Sequence, residues 1–342
     1  MNPFAYSRPA SLADTVNELA GSSRSRIIAG GTNLIDLMKE NVERPAQLID
    51  INRLPFSTID ELPDGGLRLG ALVTNADTAY HPLVEQRYPL LSQTILAGAS
   101  PQLRNMATNG GNLFQRTRCY YFYDTSMPCN KRAATNNGPG GCAAYGGYNR
   151  IHAILGTTDD TNGQSSCVAT YPSDMAVALT ALDAVVQVTG PNGDRSIPMA
   201  DFHRLPGAEP WRDNTTQPGE VVTAIDLPAR GFPDHYTYIK VRDRSSYAFA
   251  LVSVAVGLEM DGDVVRDARI ALGGVAHKPW RKSEAEQLLI GKTLSPETIR
   301  PVADALLAGA RGYGHNDFKI ELAHRAIIRA VLKSGLDNGA VE

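Results

Sequence analysis

The chain has 342 residues, 43% hydrophobic and 20% charged, with 33 basic against 36 acidic side chains and a net charge near −3. That length exceeds one ordinary core and points to two or three domains, and the near-neutral balance gives no reason to expect nucleic acid or an acidic membrane surface as a partner. The N-terminus MNPFAYSRPASLADTV lacks the basic segment and apolar run of a secretory signal, and no stretch approaches about 18 consecutive apolar residues, so a soluble chain with no signal of its own and no membrane insertion is expected.

In chain order, Ser11 and Asp14 have capping-box spacing and Leu12, Val16 and Leu19 share one helical face, which predicts a helix over about 11–21. Arg26 to Ala29 reads as a strand stopped by Gly30 and Gly31, and Leu34, Leu37 and Met38 restart with helical spacing. QLIDIN (47–52) and LRLGALVT (67–74) are strands, and a helix near 85–100 should end before Pro101. SDMAVALTALDAVVQVTG (173–190) reads as a helix running into a strand, and GEVVTAIDLP (219–228) as another strand. Beyond Pro233, HYTYIKVRD, FALVSVAVGLEM and ARIALGGVA have strand character. SEAEQLLIG, PETIRPVADALLAGA and FKIELAHRAIIRAVLKSG have helical periodicity, which makes 230–336 a separate α+β domain.

Periodicity disappears between about 113 and 168, in a segment rich in Gly, Asn, Tyr, Thr and Pro. Loops of that length are uncommon unless they are functional or disordered, and ordering one costs roughly 1–2 kcal/mol per residue, so an anchor is needed. The chain's four cysteines, Cys119, Cys129, Cys142 and Cys167, all fall in this segment, separated by nine, twelve and twenty-four residues. They are too few for a disulfide scaffold. Thiolates are soft ligands suited to an iron–sulfur cluster or zinc. The C-x-x-C knuckles usual at zinc sites are absent. Four free buried thiols would be the bland alternative, against which the polar surroundings argue, and disulfides would require an oxidising compartment.

Two glycine loops suggest a bound phosphate. In Ala29-Gly30-Gly31-Thr32-Asn33-Leu34 a strand delivers the backbone to a turn followed by a helix N-terminus with unpaired N–H groups. Thr108-Asn109-Gly110-Gly111-Asn112 repeats the device with hydroxyl and amide donors. No G-x-G-x-x-G follows a strand, so a Rossmann site is not expected. The seven histidines are dispersed and read as surface or satisfied core residues, and no serine has a nucleophile context. Tyr120 to Tyr123 with Arg116, Arg118, Lys131 and Arg132 reads as a cluster shield or protein interface.

The order AGGTNL, TNGGN, PSDMAVALTALDA, YIKVRD and ALGGVAHKPWR with a later LIGK resembles the flavoprotein subunits of the xanthine dehydrogenase and carbon monoxide dehydrogenase family over nearly the whole chain. The resemblance implies an α+β fold: a two-subdomain FAD-binding domain of the vanillyl-alcohol-oxidase (PCMH) type and a small C-terminal domain of the CO dehydrogenase flavoprotein type. The expected boundaries are 1–60, 61–229 with an insertion at 113–168, and 230–336. It further implies that Ile27, Ile28, Ala29, Gly30, Gly31, Thr32, Asn33 and Leu34 meet the FAD pyrophosphate, with Thr108, Gly110, Gly111 and Asn112 on its other side. Asp174 matches a ribityl-contacting acid, with a helix cap as the alternative. Val222 and Lys240 match positions near the isoalloxazine, where a lysine could stabilise charge on reduced flavin; an exposed strand lysine is the alternative.

QRTRCYYFYD, PCNKR, GCAAYGGYNR, HAILGTTDD and PSDMAVAL resemble especially the periplasmic aldehyde oxidoreductase subunits of the branch that also contains 4-hydroxybenzoyl-CoA reductase, which implies an aldehyde-oxidising complex, with the GPGG and TNGQSS stretches longer here. That branch implies a [4Fe–4S] cluster on Cys119, Cys129, Cys142 and Cys167. The expected partners are a molybdenum-cofactor-binding large subunit, a [2Fe–2S] small subunit and an external electron acceptor. The location would be the cytoplasm, or the periplasm by co-export with a signal-bearing partner. A self-sufficient flavin oxidase or reductase and a zinc-stabilised non-enzymatic module are the other readings.

Overall fold

The protein is described here from a computed structural model covering residues 1–132, 140–157 and 167–336; TNGQSS and the first two residues of GPGG lie outside the described residues. The N-terminal unit is a parallel sheet of β1 (Ala5–Ser7), β2 (Ser25–Ile28) and β3 (Gln47–Asp50), with β3 central and Gln47 opposite both Ala5 and Ser25. Helix α1 (Leu12–Ala20) joins β1 to β2, and the Ser11 hydroxyl accepts from the Asp14 amide at its start. Helix α2 (Leu34–Lys39) joins β2 to β3. Ile49, Ile51, Leu54 and Leu72 form the small core of this unit.

Next come β4 (Ile59–Glu61), β5 (Leu67–Gly70) and a run of helices: α3 (Asn75–Ala79), α4 (Pro82–Arg87), α5 (Pro89–Ala97), α6 (Pro101–Arg104) and α7 (Asn109–Leu113). The single helix expected near 85–100 is broken at Tyr88, which sits at φ −131°, ψ 49°. Pro89 is the cause, because a proline drives its predecessor out of the α region. A short helix α8 (Tyr120–Tyr123) lies in the insertion. Helix α9 (Asp174–Ala181) is buried at every position, as its nearly uninterrupted apolar sequence requires. It leads into the hairpin β6 (Val185–Gly190) and β7 (Gly193–Pro198), then the one-turn helix α10 (Met199–Phe202) and β8 (Val221–Leu227). These strands form an antiparallel sheet in the order β4-β5-β8-β6-β7.

The last unit is an antiparallel sheet in the order β12-β11-β10-β9, from β9 (His235–Val241), β10 (Val252–Asp261), β11 (Val264–Gly273) and β12 (Trp280–Arg281). Helices α11 (Ser283–Glu286), α12 (Pro296–Leu307) and α13 (Phe318–Ser334) complete it. Its own core is closed by Ile299, Val302, Ile327 and Val331 from the last two helices, and Ile154 and Leu155 of the insertion are built into it. Tyr238, Ala255 and Ala271 of its sheet instead join the core around α9. The insertion is thereby wedged among all three units. Among the described residues no helix is long and apolar enough to cross a membrane.

Candidate functional site

The two glycine loops close on each other. Gly31 has φ 71°, which side chains rarely adopt. Gly30 is tighter still, since a Cβ there would lie 1.8 Å from the Met106 carbonyl oxygen. The backbone leading into the second loop is therefore packed against the first.

Their donors differ. The N–H groups of Thr32, Asn33 and Leu34 have no protein acceptor among the described residues, and Ile27 to Leu34 stay half-buried. In the second loop, contrary to the sequence expectation, the amides are already used. Gly110 N donates to the Ala71 carbonyl at 2.8 Å, Asn112 N to the Thr108 carbonyl at 2.8 Å, and Gly111 N to the Thr108 hydroxyl at 3.2 Å. The Asn112 side chain is also spent, donating to Asn75 Oδ1 at 2.7 Å and accepting from Ser173 Oγ at 2.6 Å. The second loop braces the site, and the first keeps free donors for an anion. Those donors, and glycines that leave no space for a Cβ, fit the pyrophosphate of FAD.

Asp174 and Lys240 form a buried ion pair at 2.8 Å, with the lysine side chain 4% exposed. Tyr238 Oη also donates to Asp174, and Lys240 Nζ donates to the Ala97 carbonyl at 3.1 Å. Both bland alternatives fail. Lys240 is not an exposed strand lysine, and the helix cap is Ser173, whose hydroxyl accepts from the Ala176 amide at 3.0 Å. Burial, and then the Asp174 charge, push the Tyr238 hydroxyl well above its ordinary value, so it stays a donor. The Val222 side chain is buried in the main core.

The four cysteines, scattered over 49 positions, line one small pocket with Thr117, Tyr121, Phe122, Asn130 and His152. Cys129 and Cys142 oppose each other in an isolated antiparallel bridge. All four are free thiols. Contrary to the expectation from their polar sequence context, Cys119, Cys129 and Cys167 do belong to an apolar cluster, with Leu37, Val42, Phe122 and Ala169. Burial, followed by the neighbouring Cys129 and Cys167 sulfurs, pushes the Cys119 thiol up. Burial also pushes Cys167 up to about 12, partly offset by Lys131. Sulfurs that raise one another's values face a common space, and a cation there would invert the effect by favouring thiolates.

Among the described residues no three His, Cys, Asp or Glu side chains are set to hold a single metal ion. A four-iron cluster takes one thiolate at each of four separated iron corners, so its ligands line a pocket without converging on a point. The donor set fits such a cluster. The cysteine pocket lies near the first glycine loop, because α2 begins at that loop and its Leu37 packs among the cysteines.

The basic residues of the insertion form an internal clamp, and Tyr121, Phe122 and Lys131 line the cysteine pocket as a shield would. Arg116 bonds Glu43 at 2.6 Å and Asp213 at 2.7 Å, Lys131 Nζ also donates to Asp213, and the Arg116 amide donates to Asn33 Oδ1 at 3.0 Å. Arg132 is buried on the carbonyls of Tyr121 and Phe122. Tyr120 alone of the four aromatics is largely exposed.

Two histidines depart from the bland reading. His152 Nε2 lies 3.1 Å from Cys119 Sγ. His277 is buried with neither ring nitrogen bonded to protein among the described residues. Nothing in their spacing marks either one; only the position of His152 between two cysteines was visible in the sequence.

Residues 2–230 match the family model for the FAD binding domain in molybdopterin dehydrogenase, and 236–334 match the CO dehydrogenase flavoprotein C-terminal domain. The aldehyde oxidoreductase FAD-binding subunit PaoB of Escherichia coli K12 is 48% identical over 332 residues, covering 96% of each chain. The carbon monoxide dehydrogenase medium chain of Hydrogenophaga pseudoflava is 26% identical over 333 residues, again 96% of each. A solved structure of carbon monoxide dehydrogenase from Hydrogenophaga pseudoflava superposes with a TM-score of 0.74 at 26% identity, covering 98% of both chains. That of the reconstituted enzyme from Oligotropha carboxidovorans gives 0.75 at 25% identity, covering 98% of this chain and 99% of the other.

Proposed function

The chain belongs to the family of FAD-binding subunits of molybdenum hydroxylases, and from that premise we propose that it is the FAD- and [4Fe–4S]-bearing electron-transfer subunit of an aldehyde oxidoreductase. Its partners are a molybdenum-cofactor-binding large subunit and a [2Fe–2S] small subunit, and its outlet is an external acceptor. The observation that carries the reading is the convergence of the chain's four cysteines on one pocket beside α2. The aldehyde assignment rests on the 48% identity to an aldehyde oxidoreductase subunit. The division at 1–60, 61–229 and 230–336 belongs to the same proposal and is supported by three separate sheets.

When bound, FAD and the cluster supply two-electron and one-electron redox chemistry, and the protein supplies binding, tuning and docking. Thr32, Asn33 and Leu34 hold the pyrophosphate with their free amides, while Gly30 and Gly31 admit it. Thr108, Gly110, Gly111 and Asn112 act as the brace behind it. Asp174 is held in one orientation by Lys240 and Tyr238 for the ribityl chain. Lys240, already paired at 2.8 Å, positions Asp174 and has less charge to spare for the isoalloxazine. Cys119, Cys129, Cys142 and Cys167 each give one thiolate to iron.

Iron, sulfide and flavin analysis with low-temperature EPR of the reduced protein tests this. About four irons per chain and a reducible signal are expected. In each cysteine-to-serine variant, iron should fall while FAD persists at reduced occupancy. Stoichiometric zinc, or disulfides with no iron, would overturn the cluster and favour the zinc-stabilised module.

A further inference from the structure

We propose that His152 is a positioning residue that donates its Nε2–H to the Cys119 sulfur and thereby raises the reduction potential of the cluster; the inference rests on the cluster reading above. The distance is 3.1 Å and the ring is 1% exposed, so no bulk water competes for the sulfur. An iron-bound thiolate carries no hydrogen, so the proton must come from the ring. The bond at one ring nitrogen fixes which of the two holds the proton.

The ring is also held in place. Its backbone N–H donates to the Asn149 carbonyl at 3.0 Å. Its carbonyl accepts from Lys319 Nζ at 2.7 Å and from Asn316 Nδ2 at 3.2 Å. The rings of Tyr120 and Tyr121 flank it, each with its centroid 6.2 Å away. Rotation away from Cys119 would break this packing.

Adding one electron makes the cluster and its sulfurs more negative, so an N–H···S bond stabilises the reduced state more than the oxidised one. Hydrogen bonds to the sulfurs are among the determinants of these potentials.

The test is an EPR-monitored redox titration of the purified holoprotein, with iron analysis, for wild type, His152→Phe and His152→Gln. In His152→Phe, at unchanged iron, the ratio of reduced to oxidised cluster at a fixed potential should fall about tenfold, which is 59 mV for one electron. His152→Gln, whose amide can donate, should recover part of the shift. If His152→Phe loses iron, retention by His152→Gln supports the donor role and equal loss from both overturns it. An unchanged midpoint in His152→Phe at full iron also overturns it. Wild-type protein without iron removes the cluster reading and this inference together, an outcome distinct from the others.

Discussion

Replacing Gly30 with alanine adds one methyl group to the contact between the two glycine loops. The new Cβ would sit 1.8 Å from the Met106 carbonyl oxygen, where real Cβ contacts stay beyond 3.0 Å, and 2.7 Å from its carbonyl carbon. Those are backbone atoms, so relief requires the loops to part by about 1.2 Å. Overpacking of this kind costs about 1–3 kcal/mol. Expressed wholly in the bound geometry, that is about 5- to 150-fold in FAD affinity. Gly31→Ala makes a useful comparison. It carries the left-handed penalty of about 1–2 kcal/mol, but its Cβ meets chiefly the movable Ile35 side chain at 2.8 Å, so it should weaken FAD binding less than Gly30→Ala. Gly31→Val, branched at Cβ, should abolish binding. The assay is fluorescence titration of FAD into deflavinated protein, with thermal unfolding of the apoprotein to confirm a folded chain. A folded Gly30→Ala variant binding FAD within twofold of wild type would refute the argument that the two loops form one site.

Lys240→Met should destabilise the protein by about 3–5 kcal/mol, because it strands the buried Asp174 charge; urea unfolding should show Asp174→Asn recovering much of the loss in the double variant, and strictly additive effects would contradict the coupling. Burial alone would raise the Asp50 carboxyl, but hydrogen bonds from Tyr6, Asn52 and Arg8 outweigh it and hold the group at about 2. The sign follows from the lowered value: this stabilisation is present above the unfolded carboxylate value near 4 and is lost as pH falls toward 2. Acid unfolding followed by circular dichroism should accordingly show Asp50→Asn flattening the loss over that window. On the proposed division of labour the isolated chain should oxidise no aldehyde at a rate comparable to the assembled complex; equal rates would favour a self-sufficient flavin enzyme.

Most elements were legible because their periodicity is set by burial on one side. The family was carried by the motifs in their order, since a single glycine turn between a strand and a helix is more often only a turn. Strand β7 left none. Its sequence GDRSIP is exposed at all but one position and shows no alternation. The roles of Arg116, Lys131 and Arg132 were hidden for a different reason. The partners of Arg116 and Lys131, Glu43 and Asp213, lie 73 and 82 or more positions away in sequence, and only the fold brings them to a basic segment that reads as surface, while Arg132 turns inward onto the carbonyls of Tyr121 and Phe122. His152 was hidden likewise, because a ring against a sulfur has no spacing rule. The second glycine loop looked like a ligand cradle in composition, yet folding spends its donors on Ala71 and Thr108.

The clamp on the insertion comes from the far end of the chain. Lys319 Nζ reaches the His152 carbonyl across a separation of 167 positions, and Asn316 holds His152 and Ala153 across 164 and 163. At ribosomal rates of about 5–20 residues per second, on the order of ten to thirty seconds pass between synthesis of the two partners. During that interval the cysteine-bearing segment has emerged without its final brace. If the proposed cluster is bound, its surroundings are therefore completed only after α13 docks. A truncation ahead of Asn316 would leave the segment that carries His152 without these bonds.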